Sequence, residues 1–453
     1  MRLWLKILMV LGMTLAILVP LLMIRGTIQE RQTYRHQAVA DVAANFGGRQ
    51  VFGGPVLVVP YAETVEEEVS QGEGEVRRVV RRRTGSWTFF PETLSIDGKL
   101  QPDTRRRGLH EVRVYQWDGV ALATFDVRLP PVEDGARDRE IGRAWLSYGI
   151  SDVRGLRGTP KLLVDGRPML LAQGIGHADG PGLHVRLEAP PVDGRIVLDT
   201  RIDLQLRGTE TFGMMPLGRS NDLQLASAWP HPKFDGVSPQ HDIDSAGFRA
   251  RWQVASVASN AQRRYLQNPA LGAADRTQVR FGEVQWAPEP DAVSVSLIDP
   301  VNPYLQAERA TKYGLLFVLL TFVGFFMFEL IKRLPIHPIQ YALVGLAIAI
   351  FFLLLVSLSE HVAFGYAYLA AAAACIGLIG YYLSAVLRSA VRGIGFAAML
   401  ATLYAALYGL LVSEDNALVL GAGLLFLILA VIMVVTRRID WYQLSSAAAS
   451  RPS

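Results

Sequence analysis

YGLLFVLLTFVGFFMFELI, residues 313–331, is followed after a short polar break by IQYALVGLAIAIFFLLLVSL, residues 339–358. Three more runs of the same kind follow at 363–386, 393–412 and 417–435. Each is about 19 to 24 residues long, which at about 1.5 Å per residue matches a hydrocarbon core about 30 Å thick. A core helix of a water-soluble domain does not stay apolar for so long. With the N-terminal run at residues 3–24, the count is six transmembrane helices, one N-terminal and five C-terminal. In lipid a helix satisfies its own backbone polar groups, so the helical assignment follows from the solvent.

The breaks between the runs alternate in charge. Lys332 and Arg333, Arg388 and Arg392, and Arg437 and Arg438 fall at one end, while Glu360, Glu414 and Asp415 fall at the other. Lys and Arg concentrate on the cytoplasmic side, so the basic loops and both termini are expected in the cytoplasm and residues 25–312 in the periplasm. Arg25, Arg31, Arg309 and Lys312 run against this assignment, and three basic loops outvote them. The N-terminal run is longer than a usual signal-peptide core and lacks a small-x-small site before Arg25, so it is read as a retained anchor. Pro20 is expected to kink it.

The chain carries 45 Lys and Arg against 41 Asp and Glu, a formal charge of +4. Nine of the basic and five of the acidic residues lie outside 25–312, which leaves 36 of each within it. The external region is neutral, so no basic footprint for nucleic acid exists and the excess belongs to the membrane edges. Cys375 is the single cysteine, and no internal disulfide can form. Roughly 290 external residues suffice for one large core or two small ones.

Along the chain, residues 27–46 place Ile28, Ala38, Val39, Val42, Ala43 and Phe46 on one helical face, and Gly47-Gly48 ends the pattern. Beyond Val51 the period becomes two. Ile196, Leu198, Ile202, Leu204 and Leu206 alternate with polar residues, and similar alternation recurs at 112–115, 248–254 and 293–297. Residues 55–61, 121–129 and 223–226 are further strand candidates. Turns are expected at Asp97-Gly98, Asp118-Gly119, Asp165-Gly166 and Asp193-Gly194. The expectation is an α+β membrane protein with a large, mostly antiparallel β periplasmic domain inserted between helices 1 and 2. Two packed sheets or sub-domains are both compatible, with a split near 130–139 or 174–182. The acidic stretch 63–75 and basic stretch 77–83 read as a surface hairpin with oppositely charged arms.

No P-loop, H-E-x-x-H or G-x-S-x-G motif is present, and the external histidines show no metal-ligand spacing, so no catalytic residue, metal or cofactor is assigned. Gly174-Ile175-Gly176-His177 is read as a flexible turn. Trp229-Pro230-His231-Pro232 fixes a backbone around His231, as a rigid corner or a preorganised ligand. Three polar positions touch the membrane: Glu329, expected to pair with Arg333 one turn on; His337 between prolines; and Glu360-His361 at the outer end of the third helix. Ala397, Ala401, Ala405 and Gly409 repeat every four residues and are expected to pack helix against helix, with glycines 377, 380, 421 and 423 as available partners.

Several stretches together resemble the CreD family of bacterial inner membrane proteins. They are Ser151-Asp152-Val153-Arg154-Gly155, Trp229-Pro230-His231-Pro232-Lys233-Phe234, Gly247-Phe248-Arg249-Ala250-Arg251-Trp252, Arg309-Ala310-Thr311-Lys312-Tyr313, Phe328-Glu329, His337-Pro338-Ile339-Gln340-Tyr341, Leu358-Ser359-Glu360-His361 and Asp440-Trp441-Tyr442. The resemblance runs in order from the anchor to Tyr442. It implies a Gram-negative inner membrane protein with a large periplasmic domain, tied to cell-envelope integrity and made under a two-component stress regulon. The family supplies no established reaction and no catalytic residues to carry over.

The expected organisation is therefore an anchor (1–24), a helical stalk (25–50), a periplasmic β-rich domain (51–312), a five-helix bundle (313–442) and a disordered cytoplasmic tail (443–453). The expected partners are the lipid bilayer and an envelope protein or cell-wall component. The leading function is non-enzymatic binding by the β domain. The alternative is a membrane-embedded transporter or enzyme acting on a lipid or cell-wall intermediate, with Glu360, His361 and His231 as its polar centre. A signalling receptor is disfavoured by the short cytoplasmic segments.

Overall fold

The structure, a computed structural model, describes residues 3–70, 76–132, 136–191, 194–269, 277–280, 283–286, 291–298, 303–332, 337–412 and 417–437. The expected Glu329–Arg333 pair, the Asp193-Gly194 turn and the tail 443–453 fall outside these residues. The chain forms two compact units, one of Met1–Arg35 with Val301–Ser453 and the other His36–Pro300.

In chain order the elements begin with α1 (Leu3–Phe46), β1 (Gln50–Ser70), β2 (Val76–Phe89), β3 (Thr93–Arg107), β4 (His110–Arg128), β5 (Ala136–Ile141), β6 (Trp145–Ile150), β7 (Leu156–Val164), β8 (Arg167–Met169), β9 (Ala172–Gln173) and β10 (Gly182–Arg186). They continue with β11 (Arg195–Thr209), β12 (Thr211–Met214), β13 (Ser220–Ser227), β14 (Pro232–Asp235), β15 (Gln240–Asp244), β16 (Gly247–Ala255), α2 (Ala261–Gln267), β17 (Thr277–Arg280), β18 (Glu283–Trp286) and β19 (Val293–Leu297). The helices α3 (Pro303–Lys312), α4 (Gly314–Lys332), α5 (Pro338–Ser359), α6 (Phe364–Val386), α7 (Ala390–Val412) and α8 (Ala417–Thr436) complete the described chain.

The β unit is built from two large sheets. One runs β14-β19-β12-β1-β6-β10-β9, with β2 and β5 also paired to β1; the other runs β15-β16-β13-β3-β4-β11-β7-β8. Pairing is antiparallel except β1 with β12 and β13 with β3. The alternation in the sequence sets the inward faces: in β16, Phe248, Ala250, Trp252 and Val254 are buried while Arg249, Arg251 and Gln253 point out. One apolar core spans both sheets and includes residues from β1 through β19, so no split occurs at 130–139 or 174–182. Glu210, at φ 60°, is the single residue between β11 and β12, where the chain leaves one sheet and enters the other. Among described residues its carboxylate meets Arg49 at 3.1 Å.

Asp165-Gly166 is the expected two-residue turn. Both residues have positive φ, and Val164 pairs with Arg167 across it. Asp97-Gly98 and Asp118-Gly119 are not turns: they lie inside β3 and β4, with Gly98 opposite Gly119. The reason is Trp117, fully buried, whose indole covers both glycines. A Cβ at either would lie 2.0 Å from the ring.

The expected anchor and stalk form one helix, α1, with Pro20 inside it. Gly47 stops it: its N–H bonds the Ala43 carbonyl at 3.0 Å and its φ is 104°. Within the β unit Ala38 and Val39 pack on Val112 and Val114 of β4, flanked by Val42 and Phe46.

In the other unit, four helices are long and apolar enough to cross a membrane among the described residues: Leu8–Phe46, Pro338–Ser359, Phe364–Val386 and Ala390–Val412. The pair Gln306–Lys312 and Gly314–Phe326, bent by 46°, makes a fifth if it is one span. Its core is aromatic, with Phe317 and Phe351 edge-on to Tyr404 at 4.5 and 4.7 Å. Its outward faces are apolar, as at Leu369 and Phe426, the reverse of a water-soluble bundle.

Candidate functional site

A buried polar network gathers where α1 ends and β1 begins. Gln50 is fully buried. Its amide nitrogen donates to the carbonyls of Asp152 and Arg207, both at 2.9 Å, and its backbone N–H donates to the Tyr115 hydroxyl at 3.3 Å. The Tyr115 hydroxyl in turn donates to the Thr211 carbonyl at 2.5 Å. Burial pushes this phenol well above its ordinary range, so it stays a donor.

Ser151-Asp152-Val153-Arg154-Gly155 closes round the same joint. Ser151 Oγ donates to the Arg49 carbonyl and accepts the Val51 N–H. Asp152 Oδ2 accepts the Gly48 N–H at 2.9 Å, and both its oxygens take the Arg154 guanidinium, at 2.9 and 2.8 Å. Arg154 also reaches the Ala44 carbonyl, a favourable place for a cation at a helix C-terminus. Burial alone would raise the Asp152 carboxyl; the bonds from Arg154 and the Gly48 amide outweigh it and hold it below the usual range. Gly155 leaves no room for a side chain, since a Cβ there would lie 2.2 Å from the Arg207 carbonyl oxygen. Among the described residues the buried groups of this network are paired with one another, and together they fasten the end of α1. Gln50 and Tyr115 have no local sequence signal; only the glycine pair before Gln50 hinted at a junction.

Trp229 pins the corner between β13 and β14. Its indole N–H is shared by the carbonyls of His231 (3.0 Å) and Ile298 (3.2 Å), and the Arg113 guanidinium lies 4.6 Å from its ring centroid. His231 is exposed beside it, its ring edge-on to Trp229 at 6.2 Å.

A second cluster holds the loop between β9 and β10, the Gly174-Ile175-Gly176-His177 stretch expected to be a flexible turn, which is instead pinned by burial and hydrogen bonds. Ile175 is its buried anchor. The Ile175 carbonyl accepts from Ser147 Oγ at 2.6 Å and faces His177 Nδ1 at 3.0 Å, while His184 Nδ1 meets the Gly174 carbonyl at 2.8 Å. Burial pushes His177 below its ordinary value; the Ile175 carbonyl opposes this and His184 adds to it. Ser147 and His177 are 3.1 Å apart, but the serine is completely buried and cannot meet a substrate. Among the described residues no three His, Cys, Asp or Glu converge as metal ligands.

In the membrane unit each polar position serves a helix. Glu329, buried, accepts the Tyr341 hydroxyl at 3.0 Å between α4 and α5. His337 caps α5: its Nδ1 accepts the Ile339 N–H, and its own N–H donates to Gln340. Glu360, 8% exposed at the other end of α5, meets Arg31 of α1 at 3.5 Å. His361 Nδ1 sits 3.2 Å from the Ser357 carbonyl on the last turn. Of the small-residue stripe on α7, Ala397 meets Gly380 of α6, whereas Ala401, Ala405 and Gly409 are exposed. Glu360-His361, Glu329 and His337 lie at opposite ends of α5 and are not brought together.

The family profile described as inner membrane protein CreD matches residues 2–442. The chain is 34% identical over 441 residues to the inner membrane protein CreD of Escherichia coli strain K12, covering 96% of this chain and 92% of that protein. The profile takes in the apolar helices of one unit and both sheets of the other, and the likeness to the Escherichia coli protein is about as long. The chain is therefore a multi-pass membrane protein and belongs to the CreD family of inner membrane proteins.

Proposed function

We propose that the protein is a non-enzymatic component of envelope integrity and stress response, whose β unit binds an envelope protein or cell-wall component in the periplasm. The chain crosses the membrane six times, once with the anchor and five times with the bundle, and both termini lie in the cytoplasm. The regions 1–24, 25–50, 51–312, 313–442 and 443–453 act as anchor, stalk, binding domain, bundle and tail. Trp229 and His231 mark the corner of the binding domain.

Several observations support this reading. Helices α4 and α8 have 19 and 20 residues, close to the length that spans a bilayer. Tyr366 and Tyr381, 75% and 81% exposed on α6, stand about 22 Å apart along its axis, near the spacing of two interfacial belts. Two of the four basic residues that run against the orientation are engaged by acidic partners: Arg31 by Glu360 and Lys312 by Glu308 at 3.1 Å.

The observation that favours the non-enzymatic reading is that Glu360 and His361, two of the three residues of the rival's polar centre, are each engaged at the end of α5, Glu360 by Arg31 and His361 beside the Ser357 carbonyl, whereas the third, His231, belongs to the β unit. The test is complementation of an envelope-stress defect by the full-length E360Q/H361A variant in cells lacking the protein. Rescue at normal abundance supports the β unit as the working part. Failure to rescue, with the variant inserted and folded, moves the function to the bundle.

A further inference from the structure

Arginines gather beside the end of α1, on the outward face of the sheet that holds β3, β4, β11 and β7. The alternation of β3 and β11 points Arg105 and Arg207 to this face. Arg157 of β7 stands opposite Gln205 and so points the same way. It is the diagonal neighbour of Arg207 across the ladder, with Cβ atoms about 7–8 Å apart. Phe46, the last residue of α1, is reached by both Arg207 and Arg105, whose Cζ atoms lie 4.9 and 5.5 Å from its ring centroid. The ring steadies the Arg207 guanidinium without cancelling its charge.

The charges around this pair are already matched. Arg105 meets Asp103 at 3.4 Å, Arg107 meets Asp41 at 3.5 Å, and Arg154 takes both oxygens of Asp152 and the Ala44 carbonyl at the helix end. The carboxylates that flank Gln205, Asp118 across the ladder and Asp203 along the strand, are held by Gln101 and Gln116 and by Arg201. Arg157 and Arg207 form no hydrogen bond or ion pair among the described residues. Arg207 is held below its ordinary value by burial first, then by Arg157 and Arg105, so the three guanidinium groups repel one another. Two unmatched cations side by side stand out in a region, 25–312, with as many acidic as basic residues. The backbone beside them is open. Gly158-Thr159-Pro160 bulges from the ladder opposite Leu204 alone, and β8 pairs with β7 only from Leu162 on. Gly158 takes φ 62° with nothing within 4 Å of where a Cβ would stand, so the approach to Arg157 is unobstructed.

We propose that Arg157 and Arg207 form a binding site for a phosphate group of an envelope component, their two forks closing on its oxygens from adjacent strands. A phosphate supplies the two charges that the pair lacks and offers oxygens to both planar guanidinium groups, whereas a carboxylate supplies one charge. The proposal rests on the reading of the β unit as the binding part and names the chemistry that it recognises. A free phosphate and the headgroup of a phosphatidic acid share that chemistry, and the test separates them.

Isothermal titration calorimetry of the full-length protein in detergent, at constant ionic strength, tests it with inorganic phosphate, a short-chain phosphatidic acid and acetate. The unmodified protein is expected to bind phosphate about tenfold tighter than acetate, the effect of one further charge-assisted contact. R157Q/R207Q is expected to weaken phosphate binding by about tenfold or more. R249Q, which removes an exposed arginine from β16 on the same sheet, is expected to change nothing. Tighter binding of phosphatidic acid than of phosphate, lost in R157Q/R207Q, supports the site with a lipid as the source; equal or weaker binding supports it with a soluble ligand. Absence of phosphate binding, equal affinity for acetate or undiminished phosphate binding by R157Q/R207Q would overturn the proposal. Should the double variant fail to fold, R157Q alone decides, since that side chain has no hydrogen bond or ion pair among the described residues to lose. If phosphate fails to bind while E360Q/H361A still complements, the site falls and the reading of the β unit stands.

Discussion

Gly98 and Gly119 face each other across β3 and β4, and the Trp117 indole lies over both. A ring that spans two strands in this way fills the space two side chains would otherwise take, and it needs hydrogen at each Cα. G119A is expected to destabilise the β unit by about 1–3 kcal/mol or more through overpacking, and W117A by about 3–5 kcal/mol through the cavity it leaves. Denaturant unfolding of the purified protein, followed by tryptophan fluorescence, checks both. A G119A variant as stable as the parent would mean that the ring is free to move aside.

Asp152 ties the Gly48 N–H to Arg154, so D152A leaves a half-buried donor and a cation without their partner. The expected loss is about 1–3 kcal/mol. The native carboxyl is held below its ordinary value, so its contribution is present at neutral pH and is lost as pH falls below about 4. The stability curves of parent and D152A should therefore converge on acidification; curves that stay parallel would show that the charge contributes nothing.

His177 titrates in the opposite chemical sense with the same direction in pH. Its imidazole is held below its ordinary value by burial, so the unfolded chain takes up a proton first, and stability falls as pH drops below about 6.5. Hydrogen exchange over the β9–β10 loop should accelerate in that window, and H177N should flatten the response. Exchange that is independent of pH beyond the intrinsic chemical rate would dismiss this role.

Tyr341 donates to Glu329 inside the membrane unit, where water offers no replacement partner. Y341F is expected to cost about 1–3 kcal/mol in detergent unfolding, and E329Q less, because the amide still accepts the bond. Equal losses for the two variants would point to the carboxylate's charge rather than the hydrogen bond.

Much of the architecture could be read from local pattern. The alternation at 196–206, 248–254 and 293–297 appears as β11, β16 and β19, and Asp165-Gly166 turns between β7 and β8 because both residues adopt positive φ there. The same dipeptide misleads at Asp97-Gly98 and Asp118-Gly119, where the glycines answer to a tryptophan packed over them rather than to a turn. Helix α3 was not expected: ten residues with Glu308, Arg309 and Lys312 among them carry no long apolar run. The candidate polar residues could be picked out as types, but not their partners. Arg31 meets Glu360 from the far end of the chain, and Gln50 meets Asp152 and Arg207 across two sheets. Such pairings come from topology, and a local window does not contain them.

Glu210 has a mechanical consequence. From Arg195 to Met214 the backbone is a single filament that is hydrogen-bonded into one sheet and, one residue later, into the other. The two layers are stitched together by this filament as well as pressed together by their core, and neither can peel away without pulling the other's thread. A tension applied to either layer is shared by both, and the unit is expected to yield to force in one step rather than layer by layer.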